Sequence, residues 1–177
     1  MDENYLKSCI KQLKYYKSIG EKAMLQVDDQ HLFVCHNEEC NSIATIVKHL
    51  YGNMLSRWTD FLTTDGEKEW RERDAEFTND LQSRDELMKL WDTGWSVVFE
   101  ALNSLTPDDL KKTVFIRGED HTVVDAINRQ LAHYPYHVGQ IIFITKMFSP
   151  NWKTLTIAKG ESKKFNENMP GFKTKKP

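Results

Sequence analysis

Residues 122–148 read TVVDAINRQLAHYPYHVGQIIFITKMF, and their period decides the fold class. Ile127, Leu131, Tyr134, Val138, Ile141 and Phe148 recur at three- and four-residue steps, which predicts one long amphipathic helix beginning after His121-Thr122 and ending at Phe148. Three more segments carry the same period. One runs from Glu3 to about Leu25 through Leu6, Ile10, Leu13 and Tyr16. Another opens at the cap residues Asn41-Ser42 and continues to Phe61 through Ile43, Val47, Leu50, Met54 and Trp58. The third spans about Leu81 to Leu105, with Leu87, Trp91, Gly94, Val98 and Ala101 on one face, and Thr106-Pro107-Asp108 ends it. Four such helices with little strand predict an all-α protein, a four-helix bundle over residues 1–149.

The connections are long. Residues 26–40 form one link, and residues 63–80 are too polar and too densely charged for a core helix. Residues 112–121, KTVFIRGEDH, suit a small hairpin before the last helix. Beyond Pro150 the period disappears, so residues 150–177 are expected to be an irregular tail, packed on the bundle or trailing from it.

With 177 residues this is one domain, long enough to bury roughly 70% of its unfolded surface. The 24 Lys+Arg against 26 Asp+Glu lack the basic excess of a nucleic-acid binder. The longest apolar run, around VGQIIFIT, is far short of a membrane span, and the first residues lack the apolar core of a signal peptide. Three cysteines, Cys9, Cys35 and Cys40, have no framework spacing. A reduced, cytoplasmic protein with no membrane partner is expected.

His133 and His137 lie one turn apart on one helical face, beside the apolar stripe and in line with Ala126, Gln130, Gln140 and Ile144. His49 lies on a similar half-buried line with Ile46, Asn53, Arg57 and Asp60. If helices two and four face each other, His49 completes a three-histidine site with an open fourth position, a pattern of catalytic centres. Zinc suits such a site, and nickel, cobalt or iron fit chemically. The plainer alternatives are a surface pair and a hydrogen-bonded core histidine. Pro135, between the two histidines, marks either a local feature serving a site or a helix that begins later.

Other clusters carry less. His31, Cys35, His36 and Cys40 fall within ten residues but lack paired CxxC spacing, so no metal is expected there. Trp58 and Trp70 are expected in the core or under the loop. Arg71 and Arg73 alternate with Glu69, Glu72, Asp74 and Glu76, which reads as a solvated, self-paired segment; the alternative is an anion-reading or dimer-forming loop. Lys163, Lys164, Lys173, Lys175 and Lys176 read as a solvated terminus, against a weaker reading as a protein-interaction tail.

The His49 motif, hydrophobic-x-His-hydrophobic, together with HxxxHxGQ at residues 133–140, resembles the DinB/YfiT-like superfamily of metal-dependent bundle proteins. NSIATIVKHLYGNMLSRWTDFLTTDGEKEWRERDAEF (residues 41–77) and WKTLTIAKGESKKFN (residues 152–166) resemble one uncharacterised subfamily of it. The resemblance implies an up-down-down-up bundle, often a homodimer, with a divalent ion, zinc or nickel foremost, held by His49, His133 and His137. It also implies use of a low-molecular-weight thiol such as bacillithiol or mycothiol, hence a metal-dependent transferase acting on an electrophilic small molecule. Asn53, Arg57, Tyr136 and Gln140 are then candidates to contact substrate or support the ligands; no general base is identifiable. The alternatives are a metal-assisted hydrolase, or a non-catalytic module for ligand binding or dimerisation in which the ion staples helices.

Overall fold

A computed structural model describes residues 2–78 and 80–169. It is mostly helical. The long helices are α1 (Asp2–Met24), α2 (Ile43–Trp58), α3 (Arg84–Ser104) and α4 (Val123–Phe148). Between α3 and α4 lies an antiparallel hairpin, β1 (Thr113–Ile116) and β2 (Glu119–Thr122). A six-residue helix, α5 (Ser162–Glu167), stands in the segment expected to be irregular, but it buries none of its residues. Lys173, Lys175 and Lys176 of the tail lie outside the described residues.

The helix starts follow their caps. Ser42 Oγ accepts from the Thr45 amide at 3.0 Å, and Ser83 Oγ accepts from the Glu86 amide at 3.2 Å. Thr122 and Asp125 form a reciprocal capping box at the start of α4. Two boundaries differ from the periodic reading. Helix α2 stops at Trp58, not Phe61, because Thr59 is extended and Asp60 turns to φ 50°. Helix α3 starts at Arg84, where the Ser83 cap overrides the apolar signal of Leu81.

One core joins the four helices. Leu13 and Met24 of α1, Leu50 and Met54 of α2, Trp91 and Trp95 of α3, and Ile127, Tyr134, Val138 and Ile141 of α4 are all buried in it. Each large side chain there contributes about 1.5–3 kcal/mol by leaving water. Pro135 leaves α4 unbroken through Phe148.

Contacts along the helices give their relative directions. Tyr5 donates to Asn128 at 2.8 Å near the starts of α1 and α4, and Gln26 bonds the Lys153 backbone beyond their ends, so the two run the same way. Lys48 near the start of α2 bonds Thr78 and Asp80, just before α3, while Trp58 and Ala101 share a cleft near both ends, so α2 and α3 also run together. Arg84 opens α3 by donating to the carbonyls of Met24 and Val27 at the end of α1, which sets the pairs in opposite directions.

Two parallel neighbours joined in sequence require a return path about as long as a helix, roughly 24 Å for 16 residues. Residues 59–83 supply it by running back along α2. Ser56 donates to the Gly66 carbonyl, Glu76 bonds His49, and Thr78 bonds Lys48, so the partner on α2 moves toward its start as the strap advances. The Asp65 carboxylate accepts the Arg117 and Gly118 amides at 2.8 and 2.7 Å, which docks the hairpin on the strap. Among the described residues no helix is long and apolar enough to cross a membrane.

Candidate metal centre

Helices α2 and α4 bring His49, His133 and His137 together: one ring nitrogen from each lies within 4.8 Å of the other two. His133 and His137 meet because a four-residue step stacks their rings on one face of α4. Their Nε2 atoms are 3.1 Å apart, and the Nε2 atoms of His49 and His133 are 3.4 Å apart.

The opposite ring nitrogens fix the chemistry. His49 Nδ1 lies 2.9 Å from Glu76 Oε2, His133 Nδ1 is 3.2 Å from Gln130 Oε1, and His137 Nδ1 is 2.8 Å from Gln140 Oε1. Each of these oxygens accepts, so each Nδ1 carries the hydrogen and each Nε2 keeps its lone pair. In their neutral form the three rings therefore turn their lone pairs toward one another. A tetrahedral zinc at its usual 2.0–2.1 Å would separate its nitrogens by roughly 3.3 Å, close to both measured spacings. The donor set fits a divalent ion of this type.

Protonation agrees with that role. Burial, then the neighbouring His137 and His49, push His133 down to about 3. Burial also lowers His137. Both rings are neutral at pH 7 and available as ligands. Glu76 is buried; burial alone would raise its carboxyl, but hydrogen bonds from His49 and Arg71 hold it below the usual range. Arg71 Nε and Nη2 donate to its two oxygens at 2.7 and 3.0 Å, a two-pronged contact with only 2% of the arginine side chain exposed. Glu76 is thus a fixed carboxylate orienting His49, while Phe77 stacks on the same ring at 5.1 Å.

The strap is self-paired as expected, and Glu69, Glu72, Arg73 and Asp74 are exposed, but its Arg71–Glu76 pair departs from the expected reading. Arg71 and Glu76 are not solvated but form the inner wall beside His49, and Trp70, expected to be packed, is 56% exposed. Run length misled here because alternating charge looks alike whether a segment is wetted or threaded against a helix. Gly52, inside α2 and three residues past His49, leaves the room that Glu76 uses: a Cβ there would collide with its carboxylate.

The other candidates are distributed around the site. Gln140 supports His137, and Gln130, noted only as a member of the stripe, supports His133. Asn53 accepts from the Tyr134 hydroxyl at 3.1 Å, and that hydroxyl accepts from Trp58 Nε1 at 2.8 Å. Arg57 bonds the strap at Glu67 and the Gly66 carbonyl. Tyr136 is 62% exposed at the lip. His31, Cys35, His36 and Cys40 do not gather: His31 stacks on Phe148, and both cysteines are exposed.

A family model described as "Protein of unknown function (DUF1572)" matches residues 1–161. The chain belongs to that family. No curated protein matches it. The region that matches DUF1572 contains all three histidines, Glu76, Gln130 and Gln140, and ends within the tail. In this DUF1572 chain the histidines open onto a cavity of about 640 Å³, also lined by Asn53, Phe77 and Tyr136. Among the described residues no Asp or Glu lines it.

Proposed function

We propose that this protein is a metal-dependent enzyme on a DinB/YfiT-like four-helix bundle of up-down-down-up order, in which His49, His133 and His137 hold one divalent ion, zinc or nickel foremost. The observation that carries the proposal is the convergence of three Nε2 lone pairs, each backed by an oxygen on its Nδ1, beneath an open cavity. A structural site closes its fourth position with protein; three nitrogens facing a cavity suit an exchangeable ligand. When bound, such an ion lowers the pKa of a thiol or water toward neutrality.

The chain's own residues do the rest. Glu76, Gln130 and Gln140 keep the three rings in one tautomer and orientation. Phe77 covers one side of His49 and keeps water from it. Asn53 and Arg57 lie on the cavity wall to orient a bound molecule, and Tyr136 offers a hydroxyl at the lip. A thiol is intrinsically a more acidic nucleophile than water, which supports a thiol over hydrolysis. None of Cys9, Cys35 and Cys40 lines the cavity, so the thiol comes from solution, as a bacillithiol-type cofactor would. The reaction is attack of that thiolate on an electrophilic carbon of a small molecule in the cytoplasm, by a chain that works as a homodimer. A C–S bond forms, the bond to the leaving group, such as a halide, breaks with its electron pair, and the thiol proton goes to solvent.

The test is elemental analysis of the purified protein beside His137→Ala, followed by thiol-consumption assays with bacillithiol and an alkyl halide. One ion per chain, lost in the variant, together with metal-dependent thiol loss, is expected. Absence of any ion after reconstitution with zinc, nickel or cobalt would sink the enzyme.

A further inference from the structure

Five of the chain's six arginines, Arg57, Arg71, Arg73, Arg117 and Arg129, line the cavity above the histidines, while no lysine among the described residues does. Both side chains carry the same charge. What arginine adds is a planar fork of N–H donors that grips carboxylate or phosphate through two parallel bonds. A partition this complete points to reading of oxyanions, not to a general positive field.

Not all five are engaged alike. Arg71 is committed to Glu76, and Arg57 to Glu67 and the Gly66 carbonyl, although the buried Arg57 Nε has no partner among the described residues. Arg117 is half exposed and shares the same Glu67 oxygen at 3.1 Å. Arg73 and Arg129 are exposed and make no ion pair among the described residues. Five guanidinium groups against the carboxylates of Glu67 and Glu76 leave a local positive surplus in a chain whose net charge is -2.

The seat of Arg117 is a second, independent sign. It occupies the hairpin turn at φ 58°, followed by Gly118 at φ 76°. That pair is a type I′ turn, in which Asn or Gly normally fills the first position because a larger side chain disfavours positive φ. Asp65 holds the turn in place through both amides. The strained residue is one whose side chain lines the cavity, where a backbone outlier has a functional reason to persist.

We propose that the mouth of this site receives a small molecule bearing at least two oxyanion groups, carboxylate or phosphate, contacted by Arg73 and Arg129, with Arg117 exchanging Glu67 for the ligand. The cavity, about 640 Å³, is of small-molecule size. The proposal rests on the three-histidine site as the reacting end of the same cavity.

Calorimetric titration with succinate, inorganic pyrophosphate and acetate separates the possibilities. The proteins compared are metal-loaded wild type, the Arg73→Gln/Arg129→Gln double variant, and His137→Ala. Wild type should bind succinate or pyrophosphate more tightly than acetate, and the tighter of the two identifies the anionic group. The double variant should lose about tenfold or more in that affinity while keeping its metal. His137→Ala should lose its metal and retain most of the dianion binding, which assigns that binding to the arginines. A double variant that binds both dianions as tightly as wild type overturns the proposal, as does a wild type that prefers neither to acetate. Dianion binding by a wild type that takes up no metal supports the arginine site and defeats the metal reading.

Discussion

Two groups of metal-ligating residue types occur in this chain, and they differ in opposite ways along the sequence and in space. His31, Cys35, His36 and Cys40 are crowded into ten residues, yet they dissolve into a surface connection, with His31 against Phe148 and both cysteines exposed. His49, His133 and His137 are up to 88 residues apart, yet one ring nitrogen of each converges to within 4.8 Å of the other two. Density in sequence gives no fixed geometry when the backbone between the residues is irregular. Two rigid helices do give one, because each has a defined face and the shared core sets the distance between them.

The sharpest way to break this contrast is His137→Ala. Metal content should fall from one ion per chain to none, with circular dichroism unchanged, whereas His36→Ala and Cys40→Ala should leave metal content at the wild-type value. Equal losses in both sets would mean that the convergence of the three histidines does not define the site.

Next in size is Glu76→Gln. The amide still accepts from His49 but leaves buried Arg71 with only the Glu67 carboxylate at 3.6 Å, and the cost is at most the about 3–5 kcal/mol of a buried pair broken on one side. Metal affinity should fall by about 10–100-fold in a competition with a chelator, the usual penalty for removing a supporting group. Urea unfolding would report the stability loss. An unchanged midpoint would show that the strap contributes nothing.

Gly52→Ala sharpens the same point with an inverted expectation. Alanine in a helix interior ordinarily gains about 1 kcal/mol over glycine. Here the new Cβ meets the Glu76 carboxylate, so chelator competition should show weaker metal binding and thermal unfolding should show no gain. A more stable variant with full affinity would remove Glu76 from the site.

The smallest effect is with pH, in the protein stripped of metal. His133 is pushed down to about 3 in the folded chain, against about 6.5 when unfolded. Between those values the unfolded chain binds more protons, so stability is fully present above about 6.5 and is lost as pH falls toward 3. His137, lowered in the same direction, adds to this loss. Urea midpoints measured across that window should decline with acid, and His133→Gln should flatten the decline.

Much of this was legible in advance. The apolar steps of Ile127, Tyr134, Val138 and Ile141 place α4, and the four-residue step of His133 and His137 falls on the flank of that face, where side chains are half buried. His49 could join His133 and His137 only if α2 faced α4, and it does. The strap was not legible. Its position follows from α2 and α3 running in the same direction, a property of the whole chain that no local pattern encodes. The glycine that admits Glu76 was visible at position 52, but a helix interior with one glycine has too many causes for the carboxylate to be inferred from it.

The capping box of Thr122 and Asp125 does more than begin α4. A helix advances about 100° of rotation per residue, so the residue at which it starts sets the angular phase of everything downstream. His133 and His137 lie eleven and fifteen residues past that cap, with the core-facing stripe beside them. One residue inserted between Asp125 and Gln130 would swing either the histidines or the cap-proximal apolar residues about 100° out of register. The chain could then keep the cap-proximal apolar residues in register, or the histidines together with the stripe beside them, but not both. Thr122 acts as the zero mark of a dial on which the site is read.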